Sequence, residues 1–349
     1  MNLYKSETYR KDINTAINSV VGIDKLAGAS FLITGATGLI GSFIVDVLSE
    51  YDRQNNSGIK IYAAGRSIDR LRSRFDGIGS DALEFVEYDV NNKPDFDFDT
   101  DYIIHAASNA YPAAFNNYPV DTLMSNVGGT HNLLEYGRNH NVKRFMFVSS
   151  GEVYGQGDVS LEAFEETYSG YVDNLQPRSC YPAGKRTAET LCVAYTKQYG
   201  TDTVIVRPCH TYGPNATSAD NRANVQFVNN VLAGNDIVLN SAGNQMRSYN
   251  YVADCVSAIL TVLVNGKSCE AYNIANAQSR TTIAGFAKEL AEQTGHKLVF
   301  ANPDEVALAE RTPIAKQVLD TKKLESLGWE GKYRLADGVA HLLAVLTGK

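Results

Sequence analysis

The sequence lacks any apolar run near the ~20 residues that a helix needs to cross a bilayer, which argues against a helical membrane span. Its opening stretch, MNLYKSETYRKDINTAINSV, is polar and has no apolar core of the secretory-signal kind, so a cytoplasmic location is expected. Cysteine is sparse: residues 180, 192, 209, 255 and 269 are five in number, an odd count, with no CxxC pair. That usage fits reduced thiols rather than a disulfide framework. No Lys/Arg run stands out against a net charge of −7, so a nucleic-acid-binding surface is not expected. Internal repeats and low-complexity segments are absent. The acidic stretch Asp95, Asp97, Asp99 and Asp101, interleaved with Phe, lacks the glycines and spacing of a calcium loop. It is expected to be a solvated loop, and no metal site is expected anywhere.

What is present is ordinary globular composition, 44% hydrophobic and 20% charged over 349 residues, enough for two lobes. Ile13, Ala16, Ile17 and Val20 recur at helical spacing, so residues 1–28 form a helical N-terminal extension. From residue 29 apolar strand candidates alternate with helical patterns: strands at 30–34, 59–64, 84–88, 101–106, 143–149, 202–207 and 271–275, helices at 39–51, 120–140, 181–199 and 252–265. Such alternation predicts an α/β fold, a Rossmann-type doubly wound parallel sheet covered on both faces, with a smaller C-terminal substrate-binding lobe. Residues 29–207 plus 248–275 are assigned to the sheet domain and 208–247 plus 276–349 to the lobe. Loop-rich runs near 209–222 and 301–318 support that division.

Phe31-Leu32-Ile33 reads as a buried strand. It runs into Thr34-Gly35-Ala36-Thr37-Gly38-Leu39-Ile40-Gly41, a G-x-x-G-x-x-G turn between strand and helix. Glycines there let the backbone approach a pyrophosphate whose charge rests on the helix N-terminus. Gly35, Thr37, Gly38, Leu39, Ile40 and Gly41 are therefore candidate dinucleotide contacts. The second strand ends in Gly65-Arg66-Ser67 with no acidic residue to hold ribose hydroxyls. Arg66 faces a 2′-phosphate well, so NADP is favoured and NAD is not excluded. Asp89-Val90 follows the third strand and suits the adenine. His105-Ala106-Ala107 ends the fourth and suits the pyrophosphate and ribose.

Tyr181-Pro182-Ala183-Gly184-Lys185 puts a phenol and an ammonium four residues apart, on one helix face. A phenol of pKa about 10 is a poor base at neutral pH. A neighbouring ammonium and a nicotinamide cation are expected to lower it. Tyr181 can then take a proton from a sugar hydroxyl as hydride leaves the same carbon. Lys185 would also hold the nicotinamide ribose. Ser150, ending the fifth strand at the ligand-binding edge, can hydrogen-bond the reacting oxygen.

These pieces, with HAAS (105–108), NVGGT (126–130), FVSSGEVYG (147–155), RPCHTYGP (207–214), RSYNYVAD (247–254) and YNIAN (272–276), resemble an extended short-chain dehydrogenase/reductase of the nucleotide-sugar epimerase/dehydratase family. They occur in family order over nearly the whole chain, leaving the N-terminal extension unmatched. The resemblance implies a tightly bound NAD(P) that oxidises the sugar at C4, a nucleotide-sugar substrate and a homodimer built on the helices at 120–140 and 181–199. It also implies that Pro208 touches the cofactor, that Ser108, Asn109 and Asn224 line the substrate site, and that Arg247 holds the substrate diphosphate. Asn126 would orient active-site backbone. Asp320-Thr321-Lys322 and Leu327-Gly328-Trp329 resemble a structural C-terminal signature with Trp329 as a core anchor.

The 4-keto sugar is a branch point. In 4,6-dehydratases and UDP-glucuronate decarboxylases the stretch after Ser150 resembles Thr-Asp/Ser-Glu, and Glu152 matches the Glu that serves as base near C5. Elimination or decarboxylation is therefore expected before 4-epimerisation or net NADPH-dependent reduction. The Arg178–Arg186 segment also resembles the decarboxylase version. Two positions depart from the pattern. Gly151 replaces the acid that dehydratases use on the leaving hydroxyl. His210 stands where the family usually has Asn, and can donate to a phosphate, act as an acid, or be a plain loop residue.

Overall fold

The computed structural model describes residues 2–301 and 314–348. Residues 302–313, within the loop-rich run expected at 301–318, lie outside the described residues. Helix α1 (Glu7–Ser19) opens on Ser6, whose hydroxyl accepts from the Tyr9 amide, and buries Tyr9, Asp12, Ile13, Ala16 and Ile17. Its apolar stripe packs against α2 (Leu39–Asn55) and α8, defined below.

Strands β1 (Ser30–Thr34), β2 (Lys60–Gly65), β3 (Leu83–Glu87), β4 (Tyr102–His105), β5 (Arg144–Val148) and β6 (Thr203–Pro208) fall on six of the predicted runs. Between them lie α3 (Ile68–Arg74), α4 (Pro112–Asn117), α5 (Pro119–Asn139) and α6 (Cys180–Tyr199). Beyond β6 come β7 (His210–Tyr212), α7 (Ala223–Leu232), β8 (Ile237–Leu239), β9 (Met246–Tyr251), α8 (Val252–Asn265), β10 (Glu270–Ile274), β11 (Arg280–Thr282), α9 (Ile283–Thr294), β12 (Leu298–Phe300) and β13 (Lys316–Gln317). The main sheet is seven-stranded and parallel, in the order β10-β6-β5-β4-β1-β2-β3. Both faces are covered by helices, which is why β1 and β5 read as unbroken apolar runs rather than alternating ones. The chain leaves β1 toward β2 on one side and reaches β4 on the other, so a crevice opens beyond their carboxyl ends.

A second sheet is built on β9, antiparallel to β11 and parallel to β7 and β13. Strand β9 spans the 247/248 division drawn from the sequence and pairs wholly within this smaller sheet. Its register sets His210 beside Tyr249 and Gln317 beside Arg247. Alternate residues of a strand share a face, so His210, Tyr249, Arg247 and Gln317 present together. Trp329 is buried, and its indole donates to the Ser257 hydroxyl at 2.9 Å, the core anchor expected of it.

The acidic stretch is only partly a solvated loop. Phe98 stacks on Tyr62 at 3.6 Å and Phe96 on Phe98 at 5.1 Å, while Asp101 accepts from the Ser30 amide at 2.8 Å and ties the loop to β1. Alternation puts the phenyls inward and the carboxylates of Asp95, Asp97 and Asp99 outward. Among the described residues no His/Cys/Asp/Glu group is arranged to hold a metal ion, and no helix is long and apolar enough to cross a membrane.

Candidate active site

One large cleft of about 1780 Å³ lies at the carboxyl edge of the main sheet and is roofed by the smaller one. The glycine turn forms its floor. Gly35 has φ of 70°, and a Cβ there would lie 2.7 Å from the Ala107 amide nitrogen. A Cβ on Gly41 would lie 2.4 Å from the Gly35 carbonyl oxygen. Only glycine allows this close approach. Gly38 caps α2 without a side-chain hydrogen bond, so the first-turn amides are left to an anion. Thr37, Leu39 and Ile40 continue that wall, with Arg66, Asp89, Val90, Ala106, Ala107 and Pro208 around it. A dinucleotide pyrophosphate fits this cradle.

His105 does not reach the cleft. Its imidazole turns inward, 2.8 Å from the Thr34 hydroxyl and beside the Phe145 and Phe147 rings, and burial pushes it down to about 3. Strand alternation decides this: the backbone edge at 106–107 faces the cleft while the 105 side chain faces the sheet. Gly151 is also set back from the wall. Asn126, fully buried, accepts from the Ser108 hydroxyl at 3.0 Å and donates to the Thr122 carbonyl at 2.7 Å, and so acts on Ser108 from behind.

Tyr181, Lys185, Ser150 and Glu152 come together on one side of the cleft. Helix α6 carries the first two, and the turn after β5 carries the others. Lys185 is buried, donates to the Val148 carbonyl at 2.8 Å and lies 4.7 Å from the centre of the Phe147 ring. Burial pushes it down to about 7, with Glu189 pulling it back up. The Ser150 hydroxyl lies near enough to pull on the Tyr181 phenol and accepts from the Glu152 amide at 3.1 Å. Phe115 stacks on the Tyr181 ring at 4.5 Å. Protein groups alone do not lower the phenol as the sequence suggested. Burial pushes Tyr181 up to about 12, and the downward pull of Ser150 and Arg222 does not overcome it. Lys185 is held by the Val148 carbonyl, 5.7 Å from the centre of the phenol ring.

Glu152 pairs with Arg178 through two contacts of 3.2 Å, with both side chains about four-fifths buried. Arg222, at the start of α7, is held by Asp220 at 2.6 Å and acts on both Tyr181 and Glu152. Neither arginine was singled out as a site residue from the sequence. Arg178 sits three residues before Tyr181 and was legible as a neighbour. Arg222 arrives from the distant loop after β7, with no local signal.

The smaller sheet supplies the roof. Arg247 is buried and donates to the carbonyls of Met246 at 2.9 Å and Ile314 at 2.6 Å; burial lowers its pKa. His210 is driven well below its usual range by burial beside Arg247 and Arg222. A neutral imidazole keeps one N–H, which suits hydrogen-bond donation. Ser108, Asn109 and Asn224 also line the cleft. Tyr249 and Gln317, which the sequence did not single out, join them.

Residues 31–275 match the profile of the NAD dependent epimerase/dehydratase family, well over half of the chain. The chain belongs to that family. UDP-glucuronic acid decarboxylase 5 of Arabidopsis thaliana is 35% identical over 312 residues, covering 88% of this chain and 86% of the relative. UDP-glucose 4-epimerase of Thermotoga maritima, solved with UDP-glucose, is 25% identical at a TM-score of 0.75, covering 91% of this chain and 99% of the other. The dTDP-glucose 4,6-dehydratase DesIV of Streptomyces venezuelae, solved with NAD, superposes with a TM-score of 0.77 at 24% identity, covering 92% and 97%. The family member described here is an NAD-dependent enzyme that modifies nucleotide-sugars through a 4-keto intermediate.

Proposed function

We propose that this family member decarboxylates a nucleotide-linked hexuronic acid of the UDP-glucuronic acid kind. One observation carries the reading: Glu152, paired with Arg178, stands in the cleft beside Ser150 and Tyr181, while position 151 has no side chain. Dehydration must hand a proton to a departing hydroxyl, and carbon dioxide departs without one. The decarboxylase relative supports the same branch.

The glycine turn at residues 35–41 and Lys185 would hold NAD(P), which would supply hydride acceptance at C4 and its return. Tyr181, as the phenolate that a nicotinamide cation would favour against the cost of burial, takes the O4 proton, and Ser150 donates to O4 as it becomes a carbonyl oxygen. The C5–C6 bond then breaks, its electron pair passes into the C4 carbonyl, and carbon dioxide leaves an enolate. Glu152 relays a solvent proton to C5. Tyr181 gives its proton back to O4. Turnover of UDP-glucuronic acid, UDP-glucose and dTDP-glucose in heavy water tests the assignment. Expected is loss of carbon dioxide from the uronate with deuterium gained at C5. Loss of water from a neutral hexose would make the enzyme a dehydratase, and an isomer of unchanged mass without deuterium a 4-epimerase. Glu152→Gln is expected to slow C5 labelling by about 10²–10⁴-fold while C4 oxidation persists. Unchanged labelling would make Glu152 structural.

Arg66 and Arg70 line the adenosine side of the cleft with Asp69 between them, which supports NADP as well as NAD. Arg66→Ala should weaken NADP more than NAD in a binding titration; equal losses would remove Arg66 from the 2′-phosphate. We infer two lobes divided as the sequence suggests, with β9 on the substrate side. We also infer a homodimer through α5 and α6, supported by the exposed Val120 and Met124 on α5.

A further inference from the structure

The turn after β5 carries Ser150 and Glu152 into the cleft, and the bare Gly151 between them is set back from its wall. A Cβ built on Gly151 would lie 3.5 Å from both Cδ and Nε2 of Gln317 and 3.4 Å from Cδ1 of Leu319. The space beside position 151 is therefore taken up from another element, β13. Gln317 is 2% exposed, lines the cleft, and its Nε2 has no hydrogen-bond partner among the described residues. Buried amide donors left unpaired are rare and costly, and an accepting ligand relieves that cost. The strand that carries Gln317 is held in place: it pairs with Arg247 in register, and the Arg247 guanidinium grips the Ile314 carbonyl just upstream.

We propose that the Gln317 side-chain amide is a specificity-determining group that donates to the C6 carboxylate of the bound sugar, in place of a side chain at position 151. The assignment rests on the proposed reading, in which Ser150 addresses O4 and Glu152 addresses C5. The group between them in the chain then faces the next substituent outward, C6. A carboxylate accepts more strongly than a hydroxymethyl oxygen, because the bond is charge-assisted.

The test is calorimetric binding of UDP-glucuronic acid, UDP-glucose and UDP to the cofactor-loaded enzyme. Gln317→Leu removes the donor, and Gln317→Glu replaces it with an acceptor of like charge. Wild type is expected to prefer the uronate to the hexose. Gln317→Leu should shrink that preference by about 10- to 100-fold, the worth of a hydrogen bond to a charged group. Gln317→Glu should abolish it, and UDP affinity should stay unchanged in both variants. A purely structural role would weaken all three ligands together, and that result would overturn the proposal. So would a wild-type preference that both variants retain. A wild type that does not distinguish uronate from hexose would overturn the uronate reading itself, and with it the C6 assignment. Failure to bind any of the three would overturn both.

Discussion

Buried ionisable groups of the candidate site behave differently from their sequence spacing. Tyr181 and Lys185 lie four apart on α6 as the motif requires, yet each is pushed toward its uncharged form, up to about 12 and down to about 7. Desolvation is the first cause in both cases. For Lys185 the sign can be worked through. Below about pH 7 both folded and unfolded chains carry the proton, and the folded state bears the full cost of a buried ammonium. Between there and the ordinary value of 10.5 the unfolded chain holds more protons, so stability rises with pH. Above it the contribution is gone. Lys185→Met should therefore raise the thermal midpoint at neutral pH, raise it less in alkaline buffer, and remove activity. Equal shifts at both pH values would show that Lys185 is not a desolvated ammonium. Tyr181→Phe should lower turnover by about 10²–10⁴-fold with the thermal midpoint intact. Retained activity would remove the phenol from the mechanism.

Elements long enough to show a period were legible. The runs of β1 to β6 and of α2, α5, α6 and α8 were found within a few residues, because buried parallel strands read as continuous apolar runs and their helices as apolar stripes. Strands β7, β11 and β13 span two or three residues each, too short for any period, so the smaller sheet was invisible as a sheet. With it went Gln317 and Tyr249, which only register places beside Arg247 and His210. The glycine turn was legible because its chemistry is local. Gly41→Ala should cost about 1–3 kcal/mol and weaken cofactor binding, since the methyl would lie 2.4 Å from a carbonyl oxygen that belongs to the turn. A urea titration and a cofactor titration check the two halves. An unperturbed variant would mean that the turn relaxes freely.

Across the molecule, the N-terminal extension is bound to the rest through buried carboxylates. Asp46 on α2 accepts from the hydroxyls of Tyr4 at 2.6 Å and Tyr9 at 2.5 Å, and from Arg74 of α3 at 2.5 Å. Asp12 on α1 accepts from Tyr251 at 2.6 Å, Tyr333 at 2.8 Å and His341 at 2.6 Å, joining α1 to β9 and to the helix Leu335–Thr347. Asp12→Ala would strand two buried phenols and the partly buried His341, and should cost about 3 kcal/mol or more in a urea titration. A loss below about 1 kcal/mol would show that the partners find water instead. The sequence by itself determined the alternation of strands and helices, the dinucleotide turn and the Tyr181/Lys185 pair, because each rests on residues near one another in the chain, and it marked Ser150 by its place at a strand end. Tertiary structure alone decided that Arg178 and Arg222 face Glu152 and Tyr181, that His105 turns away from the cleft, and that Asp12 and Asp46 anchor the extension. Those outcomes depend on which side chains distant segments bring together and which they desolvate, and local spacing carries no record of either.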